Sequence, residues 1–198
     1  EDEESDEALR QRYYQTVNEP AFGGNISDYK QTINAIDGVG GTKVFPVWQG
    51  GGTVKCTIIS SEYSVPSSQL VNHVQTIVDP IENSGEGLGT APIGHKVTIV
   101  GVTGKTINIE TTIALAQGVT VGQVQSSIEN VIAEYLLSLR KEWANQVQLV
   151  VRIAQIDARI LTVPGVVDVS NTKLNGATNN ITLGEEEIPI LGMVTINA

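Results

Sequence analysis

Cysteine is almost missing from this chain of 198 residues: Cys56 stands alone, which excludes an intrachain disulfide and any multi-cysteine zinc site, and fits a reducing compartment. Its neighbours Val54 and Ile58 predict a buried strand thiol. Histidine is nearly as scarce. His73 and His95 lack ligand-like spacing to carboxylates, so no metal site is expected. Basic residues are also few, 12 Lys and Arg against 22 Asp and Glu, for a formal net charge of −10. A nucleic acid would meet net repulsion, and the one basic pair, Arg140 and Lys141, falls where a helix should end and complement its dipole. No apolar run approaches the roughly 20 residues of a membrane helix, and no N-terminal signal pattern is present, so the chain reads as soluble, without membrane insertion.

What is present describes a folded protein. Hydrophobic residues make up 40% of the chain and charged residues 17%, and the length suits one domain or two small ones. Ser5, Asp6 and Glu7 read as a helix start, with Leu9, Tyr13 and Val17 on one face and Asn18 and Pro20 as the stop. After the Phe22-Gly23-Gly24 loop, Ser27 is the expected N-cap of a second helix with Tyr29, Ile33 and Ile36 buried, closed by Gly38. Residues 42–48 and 53–60 describe a hairpin about the glycines at 50–52. Pro66 then opens an amphipathic helix whose stripe is Leu70, Val71, Val74, Ile77, Val78 and Ile81.

A flexible stretch at 84–89 follows, and then strands at 95–102 and 106–115. Thr120 and Gln123 offer a capping box for a long helix through Leu139, and a shorter helix spans 151–161. Residues 166–174 read as a strand running into an Asn175-Gly176 turn, and 188–196 as a strand whose Pro189 belongs at an edge. Asp37-Gly38-Val39 and Pro164-Gly165-Val166 each lead from a helix into a glycine-turn hairpin. This echo predicts an α+β protein of two small, similar α/β-sandwich units with mostly antiparallel sheets, 1–103 and 104–198.

Motifs that carry chemistry are weak. Gly101-Val102-Thr103-Gly104-Lys105-Thr106 resembles the end of a phosphate loop, but position 99 is isoleucine where the first glycine should stand, and a strand rather than a helix follows. It reads as a β-turn. The glycines at 38, 40 and 41 and at 85, 87 and 89 do not fit a dinucleotide fingerprint, so no cofactor is expected. The acids at 1–7 and 185–187 are solvated runs, and Ser60-Ser61 and Ser67-Ser68 lack a base at interpretable spacing, so catalytic residues are not expected. Phe22 and Trp48 adjoin glycine-rich loops, where a large ring is either a partner-interface anchor or a cap over the domain's own core. Trp143, beyond the long helix, is placed to pack under its end.

The ordered runs Glu4–Arg10, Arg12-Tyr13, Pro20–Asn25 and Asp28-Tyr29-Lys30 resemble the baseplate J-like family of contractile phage tails. Gly38-Val39-Gly40, Lys43-Val44, Gly51–Val54, Ala91–Gly94, Pro164–Val166 and Ile188–Gly192 continue the resemblance in register over essentially the whole chain. It implies a structural wedge component of the virion tail baseplate, made in the bacterial host cytoplasm. The component assembles with other baseplate and tail proteins and transmits the switch to sheath contraction, with no enzyme activity, cofactor, nucleic acid or small-molecule substrate. Family members usually carry a further N-terminal region, so the chain reads as the C-terminal portion of such a protein. The alternative is a carbohydrate- or receptor-binding tail module, against which an aromatic content of 5% argues; a peptidoglycan-cleaving tail enzyme would need paired acids in one cleft.

Overall fold

The computed structural model describes residues 5–7, 9–10, 13–14 and 23–198. Of the first helical stretch, Leu9 donates its N–H to the Ser5 carbonyl, and Leu9 and Tyr13 are exposed. Val17, Asn18, Pro20 and Phe22 lie outside the described residues. The remaining elements are α1 (Ile26–Asn34), β1 (Val39–Pro46), β2 (Thr53–Ser60), α2 (Ser68–Val78), β3 (Lys96–Gly101), β4 (Thr103–Leu115), α3 (Val121–Lys141), β5 (Val150–Val151), α4 (Ile153–Ile160), β6 (Val166–Leu174), β7 (Ile181–Thr182) and β8 (Glu187–Asn197). They form two compact units, one of residues 1–62 and 66–101, the other of 63–65 and 102–198.

The α+β class holds, but the sheets are mixed rather than mostly antiparallel. In the first unit the order is β1-β2-β3, with β1 antiparallel and β3 parallel to β2. Parallel neighbours need a long crossover, and α2 with the loop after it supplies one. In the second unit the order is β6-β4-β8, with β6 antiparallel and β8 parallel to β4. The expected second hairpin is therefore absent, because β4 lies between β6 and β8. Asn175 (φ 49) and Gly176 (φ 80) do make a tight turn, closed by paired backbone bonds between Leu174 and Ala177. Asn175 Nδ2 then donates to the Thr106 carbonyl and its Oδ1 accepts from Asn108 N–H, which ties the turn to β4, and the chain continues into β7 against β5.

Local chemistry sets the helix ends. Asn25, not Ser27, caps α1: its Oδ1 accepts from Asp28 N–H, while the Asp28 carboxylate accepts from Gly24 N–H, a reciprocal pair that starts the helix earlier than expected. Gly38 takes the left-handed conformation (φ 87) but stands beyond the cap, Ala35. Ser67, following Pro66, caps α2 by accepting from Leu70 N–H. Ile81 leaves the α2 stripe for a 3₁₀ turn and is exposed. In α3, Thr120 N–H donates to Gln123 Oε1, and Val124, Ile128, Ile132, Tyr135 and Leu136 recur at spacings of three and four on the buried face. The phosphate-loop lookalike is no turn: Thr103–Thr106 belong to β4, and the Glu186 carbonyl takes the Thr103 N–H as parallel pairing with β8 begins.

Tyr29 and Ile33 of α1, Val54, Cys56 and Ile58 of β2, Val74 and Val78 of α2, and Val97 and Ile99 of β3 make the first core. The stretch after α2, read from sequence as flexible, is tied down by a buried carboxylate. Asp79, 1% exposed, accepts from Ser84 Oγ (2.6 Å), Gly85 N–H (3.0 Å) and Val97 N–H (2.8 Å). Each of those donors needs an acceptor once water is excluded. In the second unit β8 bulges at Gly192 and Met193 opposite Asn108 of β4, whose Oδ1 accepts from Met193 N–H; Gly192 carries no side chain because a Cβ there would collide with the Asn108 side-chain amide.

Replacing Asp79 with alanine is predicted to lower unfolding free energy by about 2–4 kcal/mol, since three donors lose their acceptor. Urea denaturation of the parent and Asp79→Ala checks this, and a change below about 0.5 kcal/mol contradicts it.

Candidate partner interface

Of the two sequence candidates, Phe22 lies outside the described residues, so only Trp48 can be placed. It sits in the turn between β1 and β2 rather than in a strand, because β1 ends at Pro46. The turn is closed by Val47 N–H to the Thr53 carbonyl (2.8 Å), Gly50 N–H to Val47 (3.2 Å) and Thr53 N–H to Gly50 (3.2 Å), and Gln49 N–H donates to Thr53 Oγ1. Val47 takes φ 58, an uncommon conformation for a β-branched residue, and its side chain is exposed. Trp48 is 37% exposed at the tip of the hairpin. The Lys55 ammonium stands 4.8 Å from the Phe45 ring centre and 5.2 Å from that of Trp48.

Trp143 differs. It is fully buried beyond the end of α3, and its Nε1–H donates to the Glu185 carbonyl (3.0 Å).

Residues weighed for chemistry are structurally engaged or scattered. His73 is exposed on α2; His95 is half-buried, stacked on Tyr29, with Tyr29 Oη 2.8 Å from its Nδ1. Burial and neighbouring Cys56, Asp28 and Asp79 hold the Tyr29 phenol protonated well above its usual range. Cys56 is buried on β2, and burial pushes its thiol from 9.0 up to about 12. The acidic run at 185–187 is less loose than expected, since Glu187 opens β8 and its carboxylate accepts from Gly184 N–H. Among the described residues no three His, Cys, Asp or Glu side chains gather as a metal site, and no helix is long and apolar enough to cross a membrane.

A shallow depression of about 350 Å³ on the second unit is lined by Asn108, Ile109, Glu110, Asn175, Gly176, Met193 and Thr195. Three of its polar side chains are engaged within the unit: Glu110 pairs with Lys173 at 3.5 Å, Asn108 accepts from Met193 N–H at the β8 bulge, and Asn175 holds the turn to β4. No aromatic ring lines it, so it offers no stacking platform for a sugar.

Sequence reasoning missed Gln75 and Asp79. Gln75 is the polar residue inside the α2 stripe, beside Val71, Val74 and Val78, and a buried amide on an apolar face was the available signal.

Residues 21–101 match the Baseplate J-like central domain, and residues 107–197 match the Baseplate J-like protein C-terminal domain. The chain is 35% identical over 195 residues to the phage-like element PBSX protein XkdT of Bacillus subtilis (strain 168), covering 98% of this chain and 54% of that protein. It is 32% identical over 113 residues to baseplate protein gp47 of Escherichia phage Mu, covering 54% of this chain and 31% of that protein. The chain thus spans about half the length of the first relative and less of the second. Among solved structures it shares its fold with a chain of the six-fold symmetrised cryo-EM baseplate of the anti-feeding prophage. The TM-score is 0.59 at 11% identity, covering 98% of this chain and 42% of that one.

Two predictions follow from the burial. Trp143→Ala costs about 3–5 kcal/mol of stability through the cavity it leaves, whereas Trp48→Ala costs no more than about 1–2 kcal/mol; equal losses contradict the assignment of one ring to the core and the other to the surface. Because the folded thiol of Cys56 is raised above its unfolded value, its stabilisation is complete below pH 9.0 and falls as pH rises toward about 12. Urea titrations at pH 8 and pH 10 on the parent and Cys56→Ala read this directly: the parent loses more stability between the two pH values than the variant, and equal losses contradict it.

Proposed function

The chain belongs to the Baseplate J-like family, and from that premise we propose that it serves as a wedge component of a contractile phage or prophage tail baseplate, acting by assembly with other baseplate and tail proteins. The observation that carries this reading is the pair of consecutive family domains, residues 21–101 and 107–197, lying on two compact units that each possess a sheet and helices of their own. Units of this kind move as bodies more readily than they deform, because close-packed cores have discrete arrangements. The role assigned to them is therefore rigid-body switching when the sheath contracts. Trp48, with Val47 beside it at the hairpin tip, is the contact residue assigned to a neighbouring subunit; Phe22 is the second, by sequence.

The expected outcome is recovery of the tagged full-length protein from induced cells together with tube, sheath and other baseplate proteins, read by mass spectrometry and electron microscopy of the particles. A protein recovered without tail components sinks the assembly reading. If that protein instead retained binding to host cell-wall carbohydrate, the receptor-binding alternative would take its place.

A further inference from the structure

Among the described residues β3 is an edge strand, with β2 on one side and no strand on the other. Lys96 turns its N–H inward to the Gly52 carbonyl (2.8 Å), so by the alternation of a strand Val97 and Ile99 turn theirs outward. A residue of a fourth, parallel strand would donate to the Val97 carbonyl and accept from Ile99 N–H. The Gln75 carboxamide makes both of those bonds: Nε2 donates to the Val97 carbonyl (2.9 Å) and Oε1 accepts from Ile99 N–H (2.8 Å). A primary amide has the chemistry of a peptide group, and here it takes a strand's place. Asp79 Oδ2 accepts the Val97 N–H, and Gln75 Nε2 also donates to the Asp79 carbonyl (2.6 Å), which locks the two residues together.

We infer that Gln75 and Asp79 are an edge guard that bars a second copy of this chain from adding a strand to β3. The guarded strand is the sort that pairs readily: residues 96–101 are rich in Val, Ile and Thr and contain no proline and no acidic residue. An assembly that holds copies at high local concentration makes an open edge of this composition a route to wrong pairing. The inference concerns the chain alone and stands whether or not the baseplate reading does.

Amide exchange by NMR on the parent chain is the first test. The Val97 and Ile99 amides exchange as slowly as those of Thr98 and Val100, which face β2; exchange at 97 and 99 faster by about 100-fold or more overturns the guard. The second test is Gln75→Leu, which keeps a strong helix former and removes the carboxamide. Sedimentation velocity is expected to show self-association strengthened by about tenfold or more, with residues 96–101 as the protected contact. A folded variant no more associated than the parent overturns the inference. Should the variant fail to fold, exchange in the parent decides.

Discussion

A sheet of three strands has two edges for one interior strand, and every buried amide on those edges must find a partner or cost the fold a full desolvation penalty. Both units of this protein are organised around that constraint. In the first, helix α2 lies along β3 and lends it Gln75 and Asp79; Asp79 goes on to fix the loop at 84–85, so the same carboxylate closes the edge and orders the crossover. In the second, Asn108 of the interior strand β4 accepts the Met193 N–H where edge strand β8 bulges, and the turn after edge strand β6 is held to β4 through Asn175. Pro189, which has no N–H to give, sits in edge strand β8.

The sequence made the repeating, apolar parts of this design readable and left the single polar contacts obscure. The α3 stripe from Val124 to Leu136 and the alternation of Ile107, Ile109 and Ile113 in β4 are periodic, so burial follows from spacing. Helix ends were harder: Asn25 and Ser27 are both competent caps, and only the reciprocal Asp28–Gly24 bond decides between them. Strand direction was harder still. A hairpin turn at Asn175-Gly176 is locally convincing, yet where the chain goes next depends on β4 occupying the space beside β6, a long-range fact with no local signature. For the candidate interface, residue type and a glycine neighbourhood located Trp48, but not Lys55 of β2, whose ammonium stands over the rings of both Trp48 and Phe45.

Chemistry-bearing residues have structural employment instead. His95 and Tyr29 join the loop before β3 to α1, the Thr172 hydroxyl donates to Asp157 beneath β6 and meets that of Thr111 on β4, and the Arg152 N–H is capped by the Tyr135 hydroxyl. Polar groups used in this way rigidify each unit, because they fix one arrangement of the elements they connect.

Cryo-electron microscopy of tail particles containing the full-length protein, in extended and contracted forms, tests the central claim most directly. The account predicts baseplate density into which residues 23–62 with 66–101, and residues 63–65 with 102–198, fit as two bodies, each internally unchanged between the forms while their relative orientation differs. Absence of the chain from the baseplate, or internal rearrangement of either unit on contraction, contradicts it.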